Sequence, residues 1–315
     1  MSFLKLIANI SACLVQLGLL AVAAASLSGV GHRWVDILAQ FTAPALAATV
    51  LGLAICLLLR LWPASIVGAV SAFALLIAVW PQWFTDQARP ASDTPVVRIY
   101  SANLWARNTD VDAMRRSISD ADADILVLIE LGVAPNARLD DLLAGYPHRR
   151  TTTLVDRPSG AARSVIASRY PLVGRIGGRP GLHSVGAVVD SPLGRINVVG
   201  VHLTRPWPFQ YQWGQITQTM ALTEIRAGLT GPVVVAGDFN SVSSARIGCQ
   251  MKAETGLVPA PGLPGTWPSA LPAVAGMTID QVYRSPDLAL TDRRLGRPNG
   301  SDHRPVITEF SLTAD

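Results

Sequence analysis

Three stretches near the start of the chain, residues 6–31, 37–59 and 61–85, contain no Asp, Glu, Lys or Arg. A charge-free run of that length must hide its side chains in protein or in hydrocarbon, and a helix of about 20 residues spans a bilayer core of about 30 Å. Three membrane-crossing helices are therefore expected. Trp34 and Trp62 flank the second run, and Trp80, Trp83 and Phe84 close the third, where rings settle at headgroup level. Pro63 suits the first turn of the third helix. For the first run a cleaved signal peptide is the alternative, because Lys5 precedes it and the small residues 23–26 could serve as a cleavage site. Two further runs directly behind it favour a span. A buried soluble hairpin would need a partner surface that the remaining sequence does not offer.

With the N-terminus inside, Lys5 and Arg60 lie on the cytoplasmic flanks against Arg33 and Arg89 outside, a slight positive-inside bias. An odd number of spans then puts the C-terminal portion of the chain on the extracytoplasmic side. The expectation is a multi-pass integral membrane protein. Hydrophobic residues make up 50% of the chain, and the excess sits in these runs. Residues 86–95 are polar, contain two prolines and lack periodicity, as expected of a linker. The organisation expected is a membrane domain over 1–85, a linker over 86–95 and a C-terminal domain over 96–315.

Beyond residue 90 the charges nearly balance, since only Lys5, Arg33, Arg60, Arg89, Asp36 and Asp86 precede it. Such a balance argues against a dedicated polyanion-binding surface. Cys249 is the one cysteine beyond the apolar runs, so that part closes no internal disulfide. Strands are expected at 96–104, 125–131, 164–168, 184–189, 195–203, 232–236, 278–283, 288–291 and 305–310. Helices are expected after a cap at Asn108 or Thr109 and over 212–229. Many strands with few helices, mixed rather than strictly alternating, indicate an α/β (α+β) fold of two packed sheets with helices outside.

Polar groups gather at the ends of those strands. Asn103 closes the first, Glu130 the second and His202 the fifth. Asp238 and Asn240 follow the sixth, Asp280 opens the seventh, and Asp302 with His303 precedes the last. A carboxylate ending a run such as Ile-Leu-Val-Leu-Ile is costly to bury unpaired, and a bound cation is a physical reason for its presence. Hydrolysing a phosphoester requires a hard cation, a base for water and donors for developing charge. Glu130 and Asp302 offer hard oxygens, Asp238 and Asp280 can orient or deprotonate, the two histidines can exchange protons, and Asn103 and Asn240 can donate hydrogen bonds. No Cys/His cluster has zinc spacing. Taken singly, Asp238 could be a turn former, and Asp302 with His303 a cap.

The ordered set Ser-Ala-Asn-Leu (Asn103), Val-Leu-Ile-Glu (Glu130), Ala-Ser-Arg-Tyr-Pro (167–171), Val-His-Leu (His202), Gly-Asp-Phe-Asn (Asp238, Asn240), Ile-Asp (Asp280) and Ser-Asp-His-Arg-Pro (Asp302, His303) resembles the endonuclease/exonuclease/phosphatase family over residues 96–312. The resemblance implies a four-layer sandwich of two mixed sheets flanked by helices, and a Mg2+ or Mn2+ cofactor held by Glu130 with Asn103 and Asp302. It implies that His303 is a general base or phosphate stabiliser oriented by Asp280, that Asp238 positions water, that Asn240 holds a phosphate oxygen and that His202 serves the transition state or leaving group. The function expected is a membrane-anchored phosphoesterase, with a nuclease acting on DNA or RNA, or an inactive binding module, as alternatives. The partners expected are the lipid bilayer and a phosphoester, which could be a lipid head group or nucleic acid. Trp207, Trp213 and Trp267 could form a substrate wall, or pack beneath a helix. His148 and His183 fit no motif and read as ordinary surface or loop residues.

Overall fold

The protein is described here over residues 2–152, 163–206 and 212–314 by a computed structural model. Its first helices are α1 (Phe3–Leu27), α2 (Arg33–Ala39), α3 (Thr42–Leu58) and α4 (Trp62–Trp83). By length and composition α1 and α4 can each cross a membrane. The middle run is not the unbroken helix expected over 37–59, because α2 and α3 meet at a 58° bend. Pro44 forces a break, since it has no N–H for the Gln40 carbonyl, and side-chain chemistry sets where α2 then turns. Asp36 accepts hydrogen bonds from the backbone N–H of Arg246 (2.9 Å) and from the Gln212 carboxamide, while Gln40 accepts one from the N–H of Val242 (2.8 Å) and donates one to Ser241 Oγ (3.3 Å). A straight helix would carry both residues away from these partners. Polar groups left unmet in an apolar setting are costly, and α2 turns to meet them.

Residues 86–95 form no regular element, yet they are held at both ends. The Arg284 guanidinium donates to the Asp86 carbonyl (2.9 Å), the N–H of Ala91 donates to Leu312 (2.9 Å), and that of Ala314 donates to Arg89 (2.9 Å).

Beyond this stretch come β1 (Val97–Asn103), α5 (Val111–Ala121), β2 (Ile125–Leu131), α6 (Val133–Ala137), α7 (Leu139–Leu142), β3 (His148–Thr152), β4 (Arg163–Ser168) and β5 (Leu172–Ile176). They are followed by β6 (His183–Ser191), β7 (Gly194–His202), α8 (Trp213–Ala227), β8 (Val233–Asp238), α9 (Arg246–Thr255), β9 (Val258–Pro259), β10 (Asp280–Arg284), β11 (Leu288–Leu295) and β12 (Val306–Leu312). One sheet runs β11-β12-β1-β2-β4-β3 and the other β5-β6-β7-β8-β10-β9. The pairs β1/β2 and β7/β8 are parallel and the others antiparallel, so both sheets are mixed.

Strand β2 shows why the layers form. Its sequence Ile-Leu-Val-Leu-Ile-Glu-Leu alternates two apolar sets, and successive side chains on a strand point to opposite faces. Ile125, Val127 and Ile129 enter the core between the sheets with Val198, Ala236 and Phe310. Leu126, Leu128 and Leu131 face outward to a second core with Met114 and Ile118 of α5. On the far side, α8 and α9 cover the second sheet through Leu222, Ile247 and Met251 packed on Val199 and Val235. Each fully buried Leu, Ile or Val contributes roughly 1.5–3 kcal/mol. The result is the expected four-layer sandwich, helix on sheet on sheet on helix. The cap of α5 is Asp110 rather than Asn108 or Thr109; its carboxylate accepts from the N–H of Ala113 (2.8 Å), and Asn108 Oδ1 in turn accepts from the N–H of Asp110 (3.0 Å).

Candidate active site

Strand register assembles most of the site. His202 on β7 pairs with Asp238 on β8, and Asp238 pairs with Asp280 on β10, so three polar residues stand side by side across one rim of the second sheet. The first sheet delivers Asn103 from the end of β1 and Glu130 from β2. The turn before β12 supplies Asp302 and His303; there Asn299 Oδ1 accepts from the N–H of Ser301 (3.0 Å), and Ser301 Oγ accepts from the N–H of His303 (3.1 Å).

Two glycines allow the backbones to approach. A Cβ on Gly132 would lie 1.9 Å from the carbonyl oxygen of Ala106, and one on Gly237, whose φ is +143°, would lie 2.0 Å from that of Val201. Neither position tolerates a side chain. Glu130 itself has a φ of 56°, in the left-handed region a non-glycine residue seldom adopts, where β2 slips register against β4. Its Oε2 accepts from the N–H of Ala106 (3.3 Å). Strain of this kind persists only where surrounding contacts over-determine it.

Asp238 lies at the centre. Its Oδ2 accepts from Asn103 Nδ2 (3.0 Å) and its Oδ1 from the N–H of Asn240 (2.8 Å). His202 Nε2 is 3.2 Å from Glu130 Oε1 and 3.8 Å from Asp238 Oδ2. His303 Nδ1 lies 2.9 and 3.1 Å from the two oxygens of Asp280, which directs its Nε2 toward Asp238 and Asp302, each 3.9 Å away. Burial raises the Asp238 carboxyl, to about 6, although His303 and His202 pull it down. Burial works against the His303 cation, but Asp280, Asp238 and Asp302 together outweigh it and push the imidazole up to about 10.

The donor set fits a hard divalent cation. Glu130, His202 and Asp238 each offer one ligand atom, and the three atoms lie within 4.8 Å of one another. Asp302 Oδ1 is buried without a hydrogen-bond partner among the described residues. Four carboxylates thus face two imidazoles; among the described residues no Lys or Arg forms a salt bridge with any of them, although the buried Arg293 guanidinium acts electrostatically on Asp280. Acids left in excess around the buried Asp238 favour a cation with oxygen ligands. Asn103 stands as a hydrogen-bond donor to Asp238, with its own Oδ1 accepting from the N–H of Trp105 (2.9 Å).

These groups line one cavity of about 540 Å³, which Glu130, Asp238, Asn240, His202, Asp302 and His303 all reach. Asn240 donates one carboxamide N–H to the Leu203 carbonyl (2.9 Å). Trp267 forms part of the wall, its indole N–H 3.4 Å from Asp302 Oδ2. Trp213, by contrast, is 67% exposed at the start of α8 and is not among the lining residues, because its helix turns it outward. Trp207 lies outside the described residues. The cavity also takes in residues that sequence reasoning missed. His183, which reads as an ordinary loop or surface residue, opens β6 opposite His202 and lines the cavity. Trp105, two residues after Asn103, does so as well. Ile37, Gln40 and Phe41 arrive from the N-terminal helices. The β6/β7 pairing could have flagged His183; only the folded chain brings in the other four.

A sequence profile of the Endonuclease/Exonuclease/phosphatase family matches residues 100–303, well over half the chain, and takes in Asn103, Glu130, His202, Asp238, Asn240, Asp280, Asp302 and His303. The chain belongs to that family. Solved structures of the same fold include an endonuclease/exonuclease/phosphatase from Beutenbergia cavernae, 21% identical over 70% of this chain and 72% of its own, with a TM-score of 0.56. A 3′ phosphatase from Neisseria bound to a product DNA hairpin is 20% identical over 69% of this chain and 100% of its own (TM-score 0.53). Sphingomyelinase C from Streptomyces griseocarneus is 16% identical over 69% and 99% (TM-score 0.50). At these identities the likeness is one of fold. No curated protein matches the sequence. The family's members are mostly hydrolases of phosphoester bonds, typically dependent on a divalent metal, and the cluster around Asp238 is where this chain could hold one.

Proposed function

We propose that the chain is a membrane-anchored, divalent-metal-dependent phosphoesterase. The observation that carries this reading is the buried His303–Asp280 pair facing Asp238, beside the Glu130–His202 contact, in one cavity. Glu130 and Asp238 would hold Mg2+ or Mn2+, with His202 and Asp302 beside them; bound there, the cation polarises a phosphoryl oxygen and neutralises its charge. Asp280 fixes the His303 ring so that Nε2 faces the cavity, where a protonated imidazole can donate to a phosphoryl oxygen. Asp238 would position the attacking water beside the cation, and the proton that the water loses passes to solvent. That water's oxygen bonds to phosphorus, and the ester oxygen departs with a proton. Asn240 offers its second carboxamide N–H to the same phosphate. The domain division is residues 1–85 as membrane anchor, 86–95 as connector and 96–315 as catalytic unit, with the last placed on the extracytoplasmic side.

Glu130→Ala and His303→Ala should each lower hydrolysis of bis-p-nitrophenyl phosphate by the full-length protein at least about a hundredfold while the fold is retained. Unchanged turnover in both variants would refute the site. Protease access to residues beyond 95 in intact cells tests the sidedness.

A further inference from the structure

The catalytic cavity is not built by the sandwich alone. Ile37 and Phe41, from α2 and the turn after it, line it together with Met277 and Ile279, in the same cavity as Asp302 and His303. Ala39 and Phe41 join Val242, Ala245, Met277 and Ile279 in one apolar cluster that Trp267 packs against. The seating is specific, since Asp36 and Gln40 are both buried and bonded to the segment that opens α9. On the other side of α2, Trp34 is 50% and Leu38 44% exposed, with the Arg33 guanidinium 4.7 Å from the Trp34 ring. Leu27 and Val30, just upstream, are also exposed. α2 is therefore apolar on both sides: its exposed side follows on from a helix long enough to cross a membrane, and its buried side supplies Ile37 to the wall of the cavity that holds the acids. A purely polar substrate would leave that wall wet.

We propose that the N-terminal helices complete the active site and that Ile37 and Phe41 set its specificity, selecting phosphoesters that carry an apolar chain. The phosphate sits against Asp238 and His303 while the chain lies along Ile37, Phe41, Met277 and Ile279. This rests on the phosphoesterase reading and adds to it a substrate class and two residues outside the family's matched segment.

The test uses the full chain in nanodiscs with Mg2+ or Mn2+ and a series of p-nitrophenyl alkyl phosphates from ethyl to dodecyl. In each, water's oxygen adds to phosphorus, the bond to p-nitrophenolate breaks and the alkyl phosphate remains. For wild type, kcat/KM should climb with chain length by roughly two- to fourfold per methylene until the wall is covered. Partitioning into the bilayer affects wild type and variant alike, so the variant comparison decides. Ile37→Ser and Phe41→Ala should cut the dodecyl-to-ethyl ratio about tenfold or more. Phe41→Trp, which narrows the wall instead of opening it, should move the optimum to shorter chains. In metal-free protein, a dodecylphosphonate with a terminal diazirine should label residues 37–41, and unlabelled dodecylphosphonate should compete where dodecanol does not. An unchanged ratio, or a parallel loss on every chain length, overturns the proposal and leaves the phosphoesterase reading standing. Failure to cleave any of these esters overturns both.

Discussion

At the scale of single residues, the centre works through charges held close together in a buried place. His303 has a folded-state pKa pushed up to about 10, above its ordinary value of 6.5. The stability it contributes is therefore fully present below about pH 6.5 and is lost as pH rises through about 10. In chelator-treated protein, the gap in thermal unfolding midpoint between wild type and His303→Gln should narrow from pH 7 to pH 10. Asp238 behaves in the opposite sense toward a metal. Because its carboxyl is raised to about 6, a cation must displace a proton below that pH. Titration calorimetry should show divalent-cation affinity falling about tenfold for each pH unit below that point. The sequence made the participants legible because each stands at the end of an apolar run, and Asp238, Asp280 and His303 converge as the family resemblance implies. Trp213 shows the limit of that reading. An aromatic near the motifs can face either way, and only the rotation of α8 decides it.

Among the elements, close backbone approach carries the geometry. Gly237→Ala would drive a Cβ into the Val201 carbonyl at a φ that alanine resists, prising β8 from β7 and displacing Asp238 from His202. A destabilisation above about 3 kcal/mol, at the upper end of ordinary point changes, is expected in urea unfolding. Activity should fall with it. Strands carried by nearly continuous apolar runs, such as β2 and β7, were legible almost to the residue. Strand β3, His-Arg-Arg-Thr-Thr, was not, because it is an edge strand with no apolar face to signal it. Strand β5 is likewise an edge, with a central glycine that argues against it in sequence. Helix α9 escaped notice because its few buried side chains, Ile247 and Met251, follow a run of serines that reads as a loop. The bend between α2 and α3 is marked in the sequence by Pro44, which cannot continue a helix through Gln40; its direction is not, because the Gln40 carboxamide bonds to the loop after β8 set it.

For the whole molecule, the N-terminal helices are hydrogen-bonded to the sandwich through Asp36, Gln40 and Gln82. Gln40→Ala removes the acceptor for the buried N–H of Val242, at a cost of about 1–3 kcal/mol. It should loosen α2 first, seen as faster hydrogen exchange at residues 241–246 than in wild type. A fragment beginning at residue 86 would expose Val242, Met277 and Ile279 together. It should bind a hydrophobic dye and unfold at a lower temperature than the full chain. The sequence divided the chain into its parts readily, since charge stops and starts abruptly. What it withheld was their joinery: Asp36 reads as a stray acid between two apolar runs until the N–H of Arg246 is found against it. That second attachment, in addition to residues 86–95, has a mechanical consequence. A body tied at one point swivels freely, whereas one fastened at two keeps a fixed height and tilt above its base, so the cleft of this protein presents the same face to whatever lies beneath it on every encounter.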